Sequence, residues 1–543
     1  MSSGEREQSA TFGEFIDLAA AQAVRLTQRG LARGDTLILI LPQGIELMAA
    51  FVGAMMVGAI PTILAYPNFK VEPGKYRFGL SGATKNLRAR LIVLDAAFPD
   101  DLLAHVDTRD GAEVVRADGA GVGATVPALP DDPDDVAFIQ HSAGTTGLQK
   151  AVALTHAAVL RQLDHVTAAI DLRSDDRICS WLPLYHDMGL VACFMLPLVF
   201  HIPVVMQSPT DWVIQPGTML ELVTRHRCTL AWVPNFTLQF LARRVHPDDR
   251  SEFDLSSLRL FINCSEPVRG QSMDEFTNAY RDRGLGPNVL QSSYGTAENV
   301  FAITQSDPSA PPPRVHVDID TLRNEHVAVE MPPGPGTVEF VSSGPVIPCN
   351  EVRVLGPTGE ILADGGVGEI EIHSDSLFAG YYNRPDLTEL ALRDGRFRTG
   401  DLGFRLRGEM YVIGRKRDLI IVGGKNIYPQ DVEEIVCAHE AIHDGRAVAI
   451  GLLNPDLGTE EIVVVAEVDD ERDLLPERML AIEAALRGAI VAELGVAARA
   501  VYLKPLRWLV KSTAGKPARS ATRDKLVAEH DELRSAEWEK QYR

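Results

Sequence analysis

Short apolar runs alternate with helix-like segments in the first part of the chain, and this alternation restricts the fold more than any other sequence feature. The runs 36–41 (TLILIL), 60–64, 91–94 and 136–140 are rich in apolar residues. The segment 45–57, between the first two runs, has the length and composition of a helix. Continuously apolar strands between helices are typical of a parallel sheet covered on both faces. The pattern therefore predicts an α/β architecture.

The middle of the chain follows a different pattern. Two proline-rich segments, 306–313 (SDPSAPPP) and 331–336 (MPPGPG), are loops by composition. The residues that follow them are rich in strand formers, and we interpret them as a smaller β-rich subdomain.

The last part of the chain is predicted to form a separate domain, because about 130 residues can hold an independent core. Its predicted elements are strands at 446–452, 461–468 and 501–503 and an amphipathic helix at 476–494 with proline in its first turn. We place the boundary near 414–418. Residues 1–414 then form a large N-terminal domain and residues 415–543 a small C-terminal domain.

Composition excludes some classes of protein. The 543 residues include 53 Lys and Arg against 74 Asp and Glu, a net charge of −21, and an acidic chain is a poor binder of nucleic acid. None of the six cysteines forms a C-x-x-C pair, so the spacing predicts no zinc cluster. Their sparseness fits a reducing compartment.

The N-terminus has no apolar signal segment, so we expect a cytoplasmic protein. The uncharged stretch 47–66 has the length of a membrane span. Gly53, Gly58 and Pro61 interrupt it, and we interpret it as a buried helix followed by a strand, with no membrane span.

A glycine- and hydroxyl-rich segment, 140–150 (QHSAGTTGLQK), follows the strand predicted at 136–140. Its glycines allow a tight turn that exposes backbone N–H groups, its hydroxyls add donors, and its lysine adds positive charge. These residues are Gly144, Gly147, Ser142, Thr145, Thr146 and Lys150. Together they are expected to form a cradle for phosphate oxygens. A Walker A loop has its lysine directly after the last glycine, so this is a different motif.

The segment resembles the phosphate-binding signature of the adenylate-forming superfamily, which includes acyl-CoA synthetases, fatty acyl-AMP ligases, amino-acid adenylation domains and luciferases. Two features depart from that signature. Ala143 stands where the family usually has Ser or Thr, and residues 148–151 (LQKA) replace the usual x-Pro-Lys-Gly.

Three further segments resemble family motifs in the family's order. Residues 180–190 (SWLPLYHDMGL) place His186 where the family has a residue beside the acyl carboxylate. Residues 263–268 (NCSEPV) resemble the adenine-pocket loop, and 293–299 (SYGTAEN) resemble the Y-G-x-[TA]-E motif. The nucleotide-binding residues implied by the last two are Ser265, Glu266, Pro267, Tyr294, Gly295 and Thr296. In the family the tyrosine stacks on adenine, and the glutamate, here Glu298, binds Mg²⁺.

The segment 398–403 (RTGDLG) resembles the family motif whose aspartate accepts hydrogen bonds from both ribose hydroxyls, here Asp401. Residues 414–431 resemble the domain junction. The resemblance implies that Arg415 contacts the nucleotide, Arg417 is the hinge, and Gly423 and Gly424 belong to a loop that enters the site for the thiol step.

The segment 511–519 (KSTAGKPAR) resembles the C-terminal motif that carries the catalytic lysine, here Lys516. Altogether the resemblance extends from about residue 12 to 525. It implies two parallel-sheet α/β subdomains and a β-rich subdomain in the N-terminal domain, and a small mobile α+β C-terminal domain. It also implies ATP and Mg²⁺ as cofactors, with Lys516, His186 and Glu298 as catalytic residues.

The implied reaction converts a carboxylic acid, fatty in the favoured interpretation, to acyl-AMP with release of pyrophosphate. Residues 181–190, Ala297, 234–236 and 428–431 favour the fatty acyl-AMP ligases, which deliver the acyl group to the phosphopantetheine of an acyl carrier protein. By analogy of position, Trp232, Pro234 and Phe236 line the acyl pocket.

Alternatives remain open at this point. Residues 423–426 (GGKN) also resemble a CoA-ligase loop, and we identify no insertion of the kind that blocks domain motion in fatty acyl-AMP ligases, so an acyl-CoA synthetase is the alternative. An amino-acid adenylation domain is disfavoured because the F-D-x-S segment is missing. A non-catalytic nucleotide- or acyl-binding homologue is disfavoured because Lys516, Glu298 and Asp401 are retained.

Overall fold

The computed structural model describes residues 7–67, 73–117, 132–141, 150–423, 425–454, 457, 459–511, 517–530 and 533. The α-helices are α1 Phe12–Gln28, α2 Ile45–Val57, α3 Pro73–Leu87, α4 Asp100–Leu103, α5 His156–Ala169, α6 Leu196–Phe200, α7 Pro209–Ile214, α8 Gly217–His226, α9 Asn235–Arg244, α10 Gly270–Ala279, α11 Pro385–Ala391, α12 Pro429–Cys437, α13 Pro476–Leu494 and α14 Arg519–Glu529.

The strands are β1 Thr36–Ile40, β2 Ile60–Ile63, β3 Leu91–Leu94, β4 Glu113–Arg116, β5 Val136–His141, β6 Ala151–Thr155, β7 Ile178–Ser180, β8 Val204–Met206, β9 Leu230–Val233, β10 Leu260–Asn263, β11 Leu290–Gly295, β12 Ala302–Gln305, β13 Arg314–Asp318, β14 Thr337–Val341, β15 Asn350–Leu355, β16 Gly368–Ser374, β17 Gly380–Tyr381, β18 Leu392–Arg393, β19 Arg396–Leu406, β20 Glu409–Arg415, β21 Ile420–Val422, β22 Lys425–Ile427, β23 Ile442–Asn454, β24 Thr459–Val468 and β25 Ala498–Lys504. Short 3₁₀ turns lie at Asp249–Glu252, Ala297–Asn299, Lys416–Asp418 and Glu471–Leu474, and π-helical turns at Met188–Met195 and Thr321–Glu325.

The first sheet has the strand order β17-β6-β5-β2-β1-β3-β4. Strands β1 to β4 and β5 pair in parallel, whereas β6 and β17 are antiparallel additions at one edge. The apolar runs predicted in the first part of the chain form its parallel strands, and the predicted helix is α2. Every residue of β1 is buried, as strands covered on both faces require. The predicted α/β architecture is confirmed.

The uncharged stretch 47–66 contributes most of α2 and all of β2. Helix α2 ends at Gly58, whose φ of +75° is the left-handed conformation that glycine adopts at helix ends. Within the described residues, no helix is long and apolar enough to cross a membrane.

The second sheet has the order β12-β11-β10-β9-β7-β8 and is parallel except for β12. The carboxyl ends of its strands lead into the segments that carry the motifs: residues 181–187 follow β7, 264–269 follow β10, and 296–298 follow β11. Because ligands of open α/β sheets bind at the carboxyl ends of the strands, this topology gathers the motifs at one edge.

The β-rich part consists of the β13–β14 hairpin and the sheet β15-β16-β19-β18, with β20 paired to β19. The predicted β-rich subdomain is therefore present. Strand β17 leaves this part and pairs with β6 of the first sheet, Tyr381 facing Val152 in register.

The C-terminal part has its own three-stranded sheet, β23-β24-β25, and the small hairpin β21–β22. Three of its strands extend beyond the predicted bounds, and α13 covers the predicted helix 476–494. An apolar cluster separate from the main core holds it together, with Val464 on the sheet and Leu486 on α13 both completely buried. A core of its own is what an independent domain needs, and the division at residues 414 and 415 stays a prediction.

Candidate functional site

A cleft of about 1550 Å³ lies where the two sheets, the β-rich part and the C-terminal part meet. This volume exceeds that of a pocket for one drug-sized ligand. The sequence-predicted residues that line it are Lys150, His186, Phe236, Ser265, Glu266, Pro267, Tyr294, Gly295, Thr296, Glu298, Asp401, Arg415 and Arg417. The structure thus brings together side chains from motifs that lie up to 267 residues apart (150 to 417).

A hydrogen-bonded carboxylate stands on one wall of the cleft. The Tyr294 hydroxyl donates to Asp401 Oδ2 at 2.8 Å, and Arg415 Nε lies 3.5 Å from Asp401 Oδ1. Strand pairing explains this geometry, because Asp401 on β19 is the register partner of Arg415 on β20. Burial raises the pKa of Asp401, while Arg415 and the Tyr294 hydroxyl oppose that shift. The result is a carboxylate held at a defined position.

A second chain of contacts joins Glu298, Tyr381 and Lys150. The Tyr381 hydroxyl donates to Glu298 Oε1 at 2.7 Å, and Lys150 Nζ donates to the Tyr381 oxygen at 3.2 Å. Burial raises the pKa of Glu298, and the Tyr381 hydrogen bond and the Lys150 charge oppose that rise. Burial lowers the pKa of Lys150, and the Glu298 charge opposes that fall. The Tyr381 hydroxyl therefore bridges a carboxylate and an ammonium group.

Sequence reasoning missed Tyr381. It belongs to a two-residue strand, too short for a periodic pattern, and its role arises only because β17 pairs with β6 directly after Lys150. Its backbone N–H donates to Thr388 Oγ1 at 2.9 Å, and its ring packs edge-on against Phe378 with centroids 4.9 Å apart. Burial raises the pKa of Tyr381 far above its usual value, so the hydroxyl keeps its proton.

His186 also lines the cleft. Its Nδ1 is 2.6 Å from Asp187 Oδ1, and the same oxygen accepts a hydrogen bond from the Met188 backbone N–H at 2.8 Å. The imidazole is therefore oriented by a carboxylate that is itself anchored at the start of the π-helical turn.

The loop after β10 is braced at both ends. Asn235 Oδ1 accepts hydrogen bonds from Asn263 Nδ2 at 2.8 Å and from the Arg269 backbone N–H at 3.0 Å. Inside the loop, Ser265 has a φ of +71°, a conformation that is uncommon for residues other than glycine and that concentrates at functional sites. Glu266 Oε2 accepts from the Phe236 backbone N–H at 3.1 Å, which ties the loop to α9.

Aromatic side chains form the wall behind Phe236. Trp181 and Trp212 stack with ring centroids 3.7 Å apart and planes 7° from parallel, and Phe236 packs edge-on against each at 6.0 Å. Of the three residues predicted for the acyl pocket, Phe236 lines the cleft. Trp232 is completely buried, because β9 is an interior strand of the second sheet, and Pro234 is the residue before α9.

Part of the predicted site lies outside the described residues. This applies to Ser142, Gly144, Thr145, Thr146, Gly147, Gly424 and Lys516. Pro517, which follows Lys516, lines the cleft together with Lys150. Gly423 has a φ of +58°, and its backbone N–H donates to Thr459 Oγ1 at 2.7 Å.

Ion pairs join the C-terminal part to the rest of the chain around the cleft. Arg269 Nη1 lies 2.7 Å from Glu434 Oε2, and Arg323 Nη2 lies 3.3 Å from Asp431 Oδ2. Within the C-terminal part, Arg519 contacts Glu433 at 2.6 Å and Asp418 at 3.1 Å. These contacts hold α12 and the start of α14 against the cleft.

Comparison with known proteins agrees with this geometry. The family model described as "AMP-binding enzyme" matches residues 2–382. The long-chain-fatty-acid–AMP ligase FadD26 of Mycobacterium marinum is 28% identical over 543 residues, which cover 95% of this chain and 91% of that protein. The medium-chain-fatty-acid–[acyl-carrier-protein] ligase JamA of Moorena producens is also 28% identical, over 97% of this chain and 91% of its own.

A solved structure from a study of fatty acyl-adenylate ligases of E. coli and L. pneumophila superimposes with a TM-score of 0.87 at 29% identity, and covers 97% of this chain and 94% of that chain. The family match spans well over half of the chain, and the fold likeness extends over nearly all of it. The predicted nucleotide-site residues that the structure describes lie in one cleft, and the chain belongs to the AMP-binding enzyme family, as its resemblance to adenylate-forming enzymes implies.

Proposed function

We propose that this enzyme uses ATP to convert a carboxylic acid, of the fatty class, to acyl-AMP and then transfers the acyl group to the phosphopantetheine thiol of an acyl carrier protein. The observation that carries the proposal is the convergence of two polar clusters on one cleft: Tyr294, Asp401 and Arg415 on one side, and Lys150, Tyr381 and Glu298 on the other. The relatives named as fatty-acid–AMP and acyl-carrier-protein ligases support the substrate and acceptor classes.

The first cluster binds the nucleoside. Two carboxylate oxygens suit a pair of ribose hydroxyls, and Asp401 is held for that purpose by Tyr294 and Arg415. The Tyr294 ring offers an aromatic face to adenine. Ser265, Glu266 and Pro267 on the braced loop, with Gly295 and Thr296 after β11, complete the nucleotide pocket.

The second cluster, Lys150, Tyr381 and Glu298, binds the triphosphate in this proposal. Lys150 ends the glycine-hydroxyl segment that includes Ser142, Gly144, Thr145, Thr146 and Gly147, and its charge attracts phosphate oxygens. Glu298 fits Mg²⁺, because it offers a hard carboxylate oxygen in a cleft and Tyr381 holds one of its two oxygens in place. Bound Mg²⁺ would supply neutralisation of the phosphate charge.

Charge repulsion is the main obstacle to the first step. A carboxylate oxygen forms a bond to the α-phosphorus while the bond to the departing pyrophosphate breaks, so two anions approach each other. One charge pair at 4 Å and an effective dielectric of 20 repels by about 4 kcal/mol. Lys150 and Lys516 supply positive charge against this repulsion, and the position of Pro517 on the cleft supports the role of Lys516. His186 lies beside the acyl end.

The second step needs a different arrangement of the C-terminal domain, residues 415–543, against the N-terminal domain, residues 1–414. The thiol attacks the acyl carbonyl, the thiol proton is lost, and AMP leaves. We infer a rotation about Arg417 that removes Lys516 and brings the loop with Gly423 and Gly424 to the cleft. The contacts of Arg269 and Arg323 with α12 break in this motion.

Free CoA is the competing acceptor, favoured by the GGKN segment at 423–426. We infer a cytoplasmic location, because ATP and phosphopantetheine thiols are available there.

Intact-mass measurement of a carrier protein incubated with enzyme, ATP, Mg²⁺ and a panel of fatty acids tests the proposal, with a parallel reaction on CoA. We expect acyl-carrier protein to form faster than acyl-CoA. Acylation of CoA alone would establish the acyl-CoA synthetase, and absence of acid-dependent pyrophosphate release would favour a non-catalytic homologue.

A further inference from the structure

Three side chains of different chemistry converge away from the cleft. They are His165 on α5, Cys349 immediately before β15 and Asp375 immediately after β16. Their ligand atoms (an imidazole nitrogen, the thiol sulfur and a carboxylate oxygen) all lie within 4.8 Å of one another. None of the three is among the described residues that line the cleft.

Strand pairing and local hydrogen bonds build this cluster. Asn350 on β15 is the register partner of Ser374 on β16, so the residues just outside that pair, Cys349 and Asp375, are neighbours. Ser376 Oγ donates to Asp375 Oδ1 at 3.0 Å, while Asp375 Oδ2 lies 3.6 Å from His165 Nε2. The carboxylate is thus oriented by a hydrogen bond, as carboxylate ligands of metals usually are.

A hydrogen bond also attaches helix α5 to the segment that carries Asp375. Arg161, one turn before His165, donates from Nη1 to the backbone oxygen of Asp375 at 3.2 Å. The His165 side chain is 31% exposed and that of Asp375 44% exposed, so an ion in solution has access to both.

We propose that His165, Cys349 and Asp375 bind one Zn²⁺ ion, with water as the fourth ligand. Zinc takes sulfur, nitrogen and oxygen ligands in tetrahedral sites at about 2.0–2.3 Å, which places ligand atoms about 3.5 Å apart. Small rotations of these partly exposed side chains close the remaining distance. Mg²⁺ and Ca²⁺ require oxygen ligands, so this ion is distinct from the Mg²⁺ at Glu298. Binding converts the Cys349 thiol to a thiolate and releases one proton.

The ion would tie α5 to the β-rich part next to a segment of the active site. Asn299, which follows Glu298, donates from Nδ2 to Gln162 Oε1 on α5 at 3.3 Å and to Asn350 Oδ1 on β15 at 3.1 Å. Zinc would join the same two elements, α5 and β15. Its ligand Cys349 is one residue from Asn350, and its ligand His165 is three residues from Gln162. Its role is structural, and we expect zinc to raise the melting temperature.

Cobalt(II) titration of the full-length, chelator-treated protein tests the proposal, because thiolate-bound Co²⁺ absorbs in the near ultraviolet. Excess Mg²⁺ is present throughout to occupy oxygen-only sites. We expect one Co²⁺ per chain, displaced by Zn²⁺, and loss of the thiolate band in Cys349→Ser. The band should persist in Cys437→Ser, since Cys437 is a similarly half-buried cysteine of the C-terminal part.

Asp375→Asn keeps the shape of the side chain, and His165→Gln replaces the imidazole with an uncharged polar side chain. Both variants test the site without removing sulfur, so the proposal can still be tested if Cys349→Ser fails to fold. Each should weaken Co²⁺ binding at least about 10-fold, and Ser376→Ala, which removes the orienting hydrogen bond, by about 10-fold. No thiolate band in the wild type, or a band that persists in Cys349→Ser, would overturn the proposal. Neither of these two outcomes bears on acyl-AMP formation, which is tested separately by pyrophosphate release.

Discussion

Tyr381→Phe isolates one hydroxyl group at the centre of the proposed triphosphate site. The substitution removes the donor to Glu298 Oε1 at 2.7 Å and the acceptor for Lys150 at 3.2 Å. It keeps the ring, and with it the contacts with Phe378 and with the Lys150 ammonium, which lies 4.5 Å from the ring centroid. The change therefore alters hydrogen bonding while packing is preserved.

The expected loss of activity follows from the strength of a hydrogen bond to a charged group. A hydrogen bond to a charged group contributes about 1.5–3 kcal/mol, and every 1.36 kcal/mol corresponds to a factor of 10 in rate. If the bond positions Glu298 and Lys150 in the transition state, kcat/KM for acid-dependent pyrophosphate release should fall about 10- to 150-fold. The second step, started from supplied acyl-adenylate, should change little.

The pH dependence gives an independent readout of the same bond. Burial raises the pKa of Glu298, and the Tyr381 hydroxyl opposes that rise because it stabilises the carboxylate. Its removal raises the pKa further, so a higher pH is needed to ionise Glu298. The acid limb of the kcat/KM profile should therefore move to higher pH in Tyr381→Phe.

The neighbouring Tyr382 provides a matched control. Its hydroxyl makes a hydrogen bond of 2.9 Å with Thr36 Oγ1 in the first sheet, and it is not among the described residues lining the cleft. Tyr382→Phe should retain wild-type activity with a similar change in melting temperature. The reasoning fails if Tyr381→Phe keeps activity within about twofold of wild type, or if both variants lose activity equally.

Three further predictions concern the other parts of the site. Lys516→Ala should lower adenylation about 100-fold or more but keep thioester formation from supplied acyl-adenylate, and equal loss of both steps would contradict the role of this lysine. Phe236→Ala opens the wall against the stacked tryptophans, so the ratio of kcat/KM for a long-chain acid to that for a short-chain acid should rise about 10-fold; a uniform fall for all acids would argue against an acyl pocket there. Glu434→Gln removes a partly exposed pair with Arg269 worth about 0.2–1 kcal/mol, and should speed thiol transfer relative to adenylation by up to about fivefold at low salt, a difference that should vanish at high salt.

Local patterns account for much of the fold. A strand buried on both faces must be apolar along its length, and a helix needs a particular length and composition, so both leave a readable trace in consecutive residues. The run 36–41 and the helices Ile45–Val57 and Pro476–Leu494 are examples. The order of the motifs along the chain is equally visible, and it predicts one nucleotide site for Tyr294, Glu298 and Asp401, which all line the same cleft.

Contacts between distant segments leave no pattern in consecutive residues, so only the tertiary structure shows them. The hydrogen bond between Tyr294 and Asp401 depends on how β11, β19 and β20 pack, although both residues were named from their motifs. Tyr381 joined the site because a two-residue strand from the β-rich part pairs with the first sheet.

The amino-acid sequence by itself determined the α/β architecture, the β-rich and C-terminal parts, and the set of residues proposed to carry the nucleotide chemistry. Only the tertiary structure decided that Tyr381 bridges Glu298 and Lys150, that Trp232 lies inside a sheet, and that His165, Cys349 and Asp375 meet. The physical reason is that secondary structure reflects the burial and backbone preferences of neighbouring residues, whereas a site between subdomains depends on strand register and packing between segments far apart in the chain.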